Sequence, residues 1–510
     1  MEPIRKEYAM KIEILISIIV LCFWVNLFAQ SPDTIWSKVH GITIDIDEGR
    51  CIRNTADGGY IITGSCVPNG LISHTDLLLC KTDVSGNIIW SKTYGRTLIE
   101  EGFSVEQTTD GGYIITGRSL TGTYPYWDPV YSNAWLLKTD ANGDTAWTKI
   151  YGGNGNDYCT SIQQTADLGY IMTGTMNSEG NYPDYEIDEE YEPDSSKAWL
   201  IKTDSAGDTL WTRTYRERSY GNCVLQTSDG GYILVGWMFP DDHEKQSDVL
   251  LIKTDSSGNT VWTKNIGAED NDAGFCIRQT ADGYIIAGQT KPTGLPYSAL
   301  IIKTDLSGKM LWSKTFAGET SNMAFSIEIS QDGYFVTGIT NGNWWAHQGD
   351  MWAFEIDTEG NLLWERIFNI RLSDYAFCGI ITSDGGFVVT GMTSTGFGGD
   401  LWLAKLGQIP TGIRENNPII RGILLKQNYP NPFNPTTMIN YQLPMSSEVE
   451  LSVYNLLGQK IATLVSERQP AGTYTVKWSA FQSAGIASGV YLYRLEAGEY
   501  IVTRKMILMK

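Results

Sequence analysis

Short runs of β-branched and aromatic residues alternate with polar residues along most of the chain, and each run ends at glycine, asparagine or aspartate. Alternation with a period of two, interrupted by turn residues, is typical of β-strands. Four such runs make one unit, for example those at 161–165, 170–173, 198–202 and 209–213. The pattern therefore predicts an all-β protein built from four-stranded units.

Two turn phrases recur at fixed places in each unit. The first is Asp-Gly-Gly-Tyr at residues 57–60, and the second is Lys-Thr-Asp-x-x-Gly-Asn at 81–87, followed by Trp90. Glycine permits the positive φ that tight hairpins need. The aspartates that mark the first phrase are Asp57, Asp110, Asp167, Asp229, Asp282, Asp332 and Asp384. These copies predict a seven-bladed β-propeller over residues 31–408, with a β-solenoid as the alternative.

The two ends of the repeat region complement each other. The last unit stops at Gly407 without a tryptophan strand, whereas Ile35-Trp36-Ser37-Lys38-Val39 forms such a strand before the first unit. We expect the N-terminal strand to lie alongside residues 401–405 as the outermost strand of the last blade. This pairing would close the ring and leave that blade complete.

Aromatic residues gather in the connections between the second and third strands of several units. Because both turn phrases are expected on one face of the ring, these connections are expected together on the other face. Exposed tyrosine and tryptophan suit sugar rings or a protein partner. The candidate ligand-binding residues are Tyr124, Tyr126, Trp127, Tyr131, Tyr185, Tyr191, Trp237, Trp344 and Trp345. The alternative is that these rings pack on each other and only cover the blades.

The net charge of the chain limits the classes of partner that it can bind. The chain has 38 basic and 58 acidic residues, a net charge of −20, which disfavours nucleic acid. The acidic segment 185–191 could hold a cation such as Ca²⁺, but a solvated acidic loop is the favoured interpretation. No other cofactor and no metal site is predicted.

The cysteines do not suggest a disulfide framework, because seven remain after Cys22 of the apolar N-terminal run. Four of them stand six residues before the repeated aspartate, where other copies of the unit have serine. They are Cys51, Cys223, Cys276 and Cys378. We expect this position to require a small side chain in a tightly packed inner strand.

Enzyme chemistry has little support in the sequence. The four histidines fall on separate units, and no nucleophile motif accompanies them, so no catalytic residue is assigned. The Asp-x-x-Gly-Asn-x-x-Trp turn resembles the Asp-box of sialidases and the tryptophan-docking repeat of quinoprotein dehydrogenases. That resemblance implies a propeller fold and a structural turn. An extracellular polysaccharide-acting hydrolase or lyase is the alternative function, and it would need acid and base carboxylates near the channel mouth.

The N-terminus reads as a signal peptide over residues 1–30. Arg5, Lys6 and Lys11 precede an apolar run at 14–29 that is shorter than the roughly 20 residues a membrane-spanning helix needs. Met10 could also be the start. No transmembrane segment is expected in the mature chain.

The C-terminal part has a different pattern. A polar linker at 409–423 precedes strands with period-two alternation, which predict a small immunoglobulin-like β-sandwich over 424–510. Its marks are Tyr-Pro-Asn-Pro-Phe at 429–433, Leu-Leu-Gly-Gln-Lys at 456–460, Gly-Val-Tyr at 489–491 and a basic last strand. This segment resembles the C-terminal sorting domain of the type IX secretion system of Bacteroidetes-like bacteria. The resemblance implies passage through the periplasm, recognition by the secretion machinery, and release or attachment at the outer cell surface, with the domain cleaved or retained.

Overall fold

The computed structural model of the chain describes residues 31–509 except for 43–46, 68–73, 96–97, 122–130, 154, 179–195, 241–245, 268–269, 319, 344–347, 372, 395–397, 409–423, 429, 444–446, 456–457, 470–471, 481–486 and 498–499. The chain divides into two compact units, Met1–Glu415 and Asn416–Lys510. In the described parts of both, the regular structure consists of β-strands. No helix among the described residues has the length and apolar character needed to cross a bilayer.

The first unit begins with strand β1 (Thr34–His40) and continues as four-stranded antiparallel sheets in chain order. Sheet 1 contains β2 (Asp47–Asn54), β3 (Tyr60–Cys66), β4 (Asp76–Thr82) and β5 (Ile88–Tyr94). Sheet 2 contains β6 (Glu100–Gln107), β7 (Tyr113–Thr121), β8 (Tyr131–Thr139) and β9 (Thr145–Tyr151). Sheet 3 contains β10 (Asn156–Gln164), β11 (Tyr170–Ser178), β12 (Lys197–Thr203) and β13 (Thr209–Glu217). Sheet 4 contains β14 (Ser219–Gln226), β15 (Tyr232–Met238), β16 (Asp248–Thr254) and β17 (Thr260–Ile266). Sheet 5 contains β18 (Asn271–Gln279), β19 (Gly283–Lys291), β20 (Ser298–Asp305) and β21 (Met310–Phe316).

The remaining strands of this unit form an eight-stranded sheet with two halves, which the parallel pair Gly349–Ser373 joins. The first half, sheet 6, contains β22 (Ser321–Ile329), β23 (Gly333–Asn343), β24 (Gln348–Asp357) and β25 (Leu362–Phe368). The second half, sheet 7, contains β26 (Ser373–Ile381), β27 (Phe387–Ser394) and β28 (Gly399–Leu406), with β1 beside β28.

Strand β1 takes the fourth position of sheet 7, as the sequence predicted. Trp36 lies opposite Lys405 and His40 lies opposite Leu401. The indole nitrogen of Trp402 donates to Ser37 Oγ at 3.0 Å, just as the indole of Trp135 donates to Thr148 on the fourth strand of sheet 2. The two ends of the repeat region are therefore joined within one sheet.

The second repeated turn receives the tryptophan of the preceding sheet. The ring of Trp90 in sheet 1 lies so close to Gly143 in sheet 2 that a Cβ on this glycine would stand 2.8 Å from the indole. Trp36 of β1 approaches Gly86 of sheet 1 in the same way, and His40 Nε2 lies 3.0 Å from the Gly86 carbonyl oxygen. Sheet 7 thus contacts sheet 1 in the same way that sheet 1 contacts sheet 2, through a tryptophan ring that packs on a turn glycine.

The first repeated turn is held by an ion pair to the lysine of the second phrase. Lys81 Nζ lies 2.9 Å from Asp57, and only 5% of the lysine side chain is exposed. Burial opposes ionisation of Asp57, but hydrogen bonds from Thr55, Lys81 and Gly59 together lower its pKa to about 2. Equivalent pairs are Lys138–Asp110, Lys202–Asp167, Lys253–Asp229, Lys303–Asp282 and Lys405–Asp384. The repeated aspartate and lysine therefore have a structural role, since their ion pair holds the first turn of each of these sheets.

Sheet 6 departs from this rule because Glu355 stands where the other sheets have lysine. The carboxylate of Glu355 accepts a 2.7 Å hydrogen bond from the indole nitrogen of Trp364. Burial raises the pKa of Glu355. This sheet replaces an ion pair with a buried carboxyl group.

The second unit consists of two sheets that enclose one core. The first contains β29 (Leu424–Leu425), β30 (Thr436–Leu443) and β33 (Gly472–Ser479). The second contains β31 (Ser447–Tyr454), β32 (Lys460–Gln469), β34 (Gly489–Ala497) and β35 (Tyr500–Leu508). Phe433 of the proline-rich motif is buried against Trp478, with ring centroids 5.5 Å apart. Its backbone N–H donates to the carbonyl of Ile507 on the last strand at 2.9 Å, so this motif is part of the core.

Candidate functional site

The first strand of every sheet in the first unit contains a β-bulge at one repeated position. In sheet 1 the pairing with β3 shifts between Gly49 and Cys51, which leaves Arg50 as the extra residue. A bulge redirects the side chain of its extra residue, and bulges are common beside functional sites. The equivalent bulge residues are Arg50, Phe103, Thr160, Asn222, Phe275, Phe325 and Phe377.

Bulge residues of neighbouring sheets contact each other or the neighbouring strand. The ring centroids of Phe275 and Phe325 are 5.7 Å apart, and those of Phe325 and Phe377 are 5.9 Å apart. On the other side of the unit, the Arg50 guanidinium lies 4.9 Å from the centroid of Phe103. A polar bulge residue also forms a hydrogen bond to the neighbouring sheet: Asn222 Nδ2 of sheet 4 donates to the Gly274 carbonyl oxygen of sheet 5 at 2.8 Å. The bulge residues therefore lie side by side from sheet to sheet.

Further aromatic rings extend this surface over sheets 4 to 7. Tyr375 stacks on Phe377 with an angle of 5° between the rings. Trp237 stacks on Tyr220 at 3.9 Å and meets Phe239 edge-on at 5.4 Å. Phe239 belongs to the same apolar cluster as Phe275, so Trp237 is linked to the bulge residues. We call the bulge residues together with Tyr220, Trp237, Phe239 and Tyr375 the aromatic surface. Phe239, Phe325 and Tyr375 are buried beneath it, and its other aromatic members are half-buried.

The part contributed by sheets 1 and 2 is charged instead. Arg50 Nε lies 2.5 Å from Glu48, and a second nitrogen of the same guanidinium lies 3.7 Å from Glu101. Arg118 pairs with Glu101 at 2.6 Å. Each of the two carboxylates is thus paired with an arginine. Two arginines and two glutamates give this group no net charge. The aromatic surface is apolar on one side and polar on the other.

A second layer of charge lies three residues beyond the bulge residues along the first strands. Arg278 of sheet 5 holds Glu328 of sheet 6 through two hydrogen bonds of 2.9 and 2.5 Å. Arg53 of sheet 1 interacts electrostatically with both of these residues. Burial raises the pKa of Glu106 of sheet 2, although its interactions with Arg53 and Arg278 lower it. Charged residues on the first strands of sheets 1, 2, 5 and 6 are therefore near enough to interact electrostatically.

Two of the nine predicted site residues fall within the described structure. Trp237 is half-buried in the aromatic surface, and Tyr131 is half-buried at the start of β8, where it pairs with Thr121. The other predicted residues lie outside the described residues: Tyr124, Tyr126, Trp127, Tyr185, Tyr191, Trp344 and Trp345. The acidic segment 185–191, predicted as a calcium site, also lies outside them. Within the described ranges, no three histidine, cysteine or acidic side chains are grouped so as to hold a metal ion.

Sequence reasoning missed the bulge phenylalanines. Phe103, Phe275, Phe325 and Phe377 each directly precede the repeated serine or cysteine, so their position in the repeat was visible. The alternation of apolar and polar residues places these phenylalanines on one face of a strand but does not show a bulge. The bulge becomes visible only when the first strand is paired with the second, because one residue of the first strand then has no partner.

Comparison with known proteins identifies the C-terminal segment. Residues 427–509 match the family described as the secretion system C-terminal sorting domain. No curated protein matches the sequence significantly. Among solved structures, PorZ, described as a surface component of the type IX secretion system of Porphyromonas gingivalis, has 11% identity and a TM-score of 0.40, over 90% of this chain and 59% of PorZ. A streptogramin B lyase has 11% identity and a TM-score of 0.43, over 73% of this chain and 98% of the lyase. A Bacteroides caccae protein of unknown function has 11% identity and a TM-score of 0.36, over 57% of this chain and 89% of that protein.

The successive four-stranded sheets and the sorting segment define the class, an exported all-β protein with a propeller-like arrangement of sheets. More specifically, it is sorted by the type IX secretion system and is secreted or displayed at the cell surface.

Proposed function

We propose that the first unit is a closed seven-bladed β-propeller that binds a carbohydrate or a protein at the cell surface. In this proposal sheets 6 and 7 act as separate blades, and the docking of Trp36 on Gly86 closes the ring. The shared apolar cluster supports closure, since Ile52 of sheet 1 and Leu403 of sheet 7 belong to it together. The proposed boundaries are 1–30 for the signal peptide, 31–408 for the propeller, 409–423 for the linker and 424–510 for the sorting domain, with export through the periplasm.

The aromatic surface is the observation that carries the binding role. Aromatic side chains dominate the energetics of binding sites because they bury a large area with few rotatable bonds. Here the half-buried Phe275 and Phe377 each pack on the buried Phe325. Trp237 is half-buried as well and joins them through Phe239. The other predicted aromatic residues follow the second strands of their sheets in the sequence, and those second strands end at the edge where the first strands begin. The proposed site combines this surface with those residues.

Glycan and surface-protein arrays probed with the chain from residue 31 onwards would test this proposal. We expect binding that Phe377→Ala and Trp237→Ala each weaken by about tenfold or more, a loss typical of an aromatic anchor. Leu210→Ala is the matched control, because Leu210 is 58% exposed on the fourth strand of sheet 3, away from the first strands. Equal binding by all three variants would contradict the assignment of the site, and no binding to either array would contradict the function.

A polysaccharide-acting hydrolase or lyase is the second candidate, and Glu48 with Glu101 is the observation that favours it. Arg50 connects these two carboxylates beside the aromatic surface. Both of these carboxylates are engaged in ion pairs with arginine, Glu48 with Arg50 and Glu101 with Arg118. We therefore rank binding first. Release of reducing sugar from a polysaccharide panel, abolished by Glu101→Gln, would reverse that order.

A further inference from the structure

Four buried cysteines occupy one repeated position in the first strands of the sheets. The position holds Cys51, Cys223, Cys276 and Cys378 in sheets 1, 4, 5 and 7, and Ser104, Ser161 and Ser326 in sheets 2, 3 and 6. Sheets 4 and 5 are neighbours, and sheet 7 contacts sheet 1. Each of the four cysteines therefore has another of them in an adjacent sheet.

The two cysteines of each pair, Cys51 with Cys378 and Cys223 with Cys276, come from strands that contact each other at this position. Cys378 Sγ lies 3.9 Å from the carbonyl oxygen of Ile52, the residue after Cys51, and 3.6 Å from the guanidinium of Arg53. One guanidinium nitrogen of Arg278 lies 3.3 Å from Cys276 Sγ and 3.9 Å from Cys223 Sγ, so both sulfurs share a neighbour. Between sheets 3 and 4, Ser161 Oγ likewise lies 3.9 Å from Cys223 Sγ. Contact between adjacent sheets at this position is thus a property of the repeat.

Charge near each pair favours a reactive thiolate. A hydrogen bond from the partner thiol and the nearby Arg53 lower the pKa of Cys378, against the effect of burial. The same causes, with Arg278 as the arginine, lower the pKa of Cys223. A thiolate next to arginine is the nucleophilic form of cysteine. The arginine beside each pair therefore favours the thiolate of one of its two cysteines once the strands are in place.

We propose that Cys51–Cys378 and Cys223–Cys276 are cross-linking sites that become disulfides when the exported chain folds in an oxidising compartment. Secreted proteins retain disulfides because nothing outside the cell keeps thiols reduced. The Cys51–Cys378 bridge would join the first sheet to the last one covalently. The Cys223–Cys276 bridge lies between two consecutive sheets and needs no closure of the ring.

The oxidant is a disulfide, either on a thiol oxidoreductase or on a small molecule. One cysteine thiolate attacks an oxidant sulfur, which forms a mixed disulfide and expels one oxidant thiolate. The second cysteine loses its proton and attacks the protein sulfur of the mixed disulfide, which expels the other oxidant thiolate. Each bridge removes two electrons and two protons from the protein, and the oxidant disulfide is reduced to two thiols.

The test uses the chain from residue 31 onwards, refolded in a mixture of oxidised and reduced glutathione so that the cysteines can react before burial. Remaining thiols are then alkylated, and the digest is analysed by mass spectrometry. We expect two cross-linked peptides, Cys51 with Cys378 and Cys223 with Cys276, and alkylation of Cys66, Cys80 and Cys159. Seven alkylated cysteines, or other pairings, would overturn the proposal.

Serine variants provide matched controls, because serine already occupies this position in three sheets. Cys51→Ser should fold, lose only the Cys51–Cys378 peptide and show a lower melting temperature than the oxidised parent. Cys80→Ser, on β4 outside this position, should keep both bridges. If Cys223–Cys276 forms while Cys51 stays alkylated in the parent, the proposed link between sheets 1 and 7 is wrong. That result leaves the binding role to its own array test.

Discussion

Replacing Gly86 by alanine tests whether β1 docks on sheet 1. Gly86 has φ +72°, and a Cβ there would lie 2.6 Å from the Trp36 ring. Carbon atoms normally pack at about 3.5–4.0 Å, so the indole or the turn must shift by about 1 Å. Overpacking of this kind costs about 1–3 kcal/mol. The left-handed backbone adds about 1–2 kcal/mol for any residue with a Cβ.

Gly58→Ala separates these two costs. Gly58 has φ +83°, but a Cβ there would meet nothing within 4 Å. Gly58→Ala should therefore show only the backbone cost, and Gly86→Ala should destabilise the protein by about 1–3 kcal/mol more. In a Trp36→Ala background the extra cost should vanish. The coupling free energy between positions 36 and 86 is thus the quantity that reports docking.

Urea unfolding followed by far-ultraviolet circular dichroism measures these differences without relying on tryptophan fluorescence. Trp90 and Gly143 form the reference pair, because they make the same contact between sheets 1 and 2. We expect similar coupling for both pairs. Coupling below about 0.5 kcal/mol at 36 and 86, with normal coupling at 90 and 143, would refute the docking of sheet 7 on sheet 1.

Three further predictions concern charge and export. The Asp–Lys pairs should lose their stabilising effect as the pH falls from about 4 towards about 2, because the folded pKa of Asp57 is about 2 and its ordinary value is 3.8; acid titration of the melting temperature measures this. Glu355→Gln should stabilise the protein at pH 8 and much less at pH 4, because burial raises the pKa of Glu355 and the ionised form is the costly one. Deletion of residues 424–510 should leave a folded first unit in the periplasm and none at the cell surface, which fractionation with immunoblotting detects.

Each of these predictions has an outcome that contradicts it. Lys81→Met should reduce the acid sensitivity slightly, because the Asp57 side chain is 59% exposed and the pair is worth little on its own; an unchanged acid transition after removal of several pairs would refute the role of the pairs. Equal stabilisation by Glu355→Gln at both pH values would show that the charge of Glu355 is not the cause. Normal surface display of the chain without 424–510 would refute the sorting role.

The sequence predicted the pairing of β1 with β28 because counting the strands of each repeat unit shows that the last unit lacks its fourth strand. An orphan tryptophan strand at one end and an incomplete unit at the other predicted that residues 35–39 lie alongside residues 401–405. The structure shows this pairing, with Trp36 opposite Lys405. Lys81 and Asp57 were visible as two recurring residues, but their contact depends on the spacing between strands, which the repeat alone does not specify. The bulge residues were missed because register shifts depend on two strands at once.

The position of β1 has a consequence for biosynthesis. Its partner strand ends at Leu406, so a ribosome must produce nearly the whole first unit before the earliest strand can pair. Until then β1 has no partner strand, and its edge is open to pairing with another chain. A prematurely terminated chain never acquires this pairing. The earliest strand of the first unit can therefore be paired only after the last strand of that unit has been made.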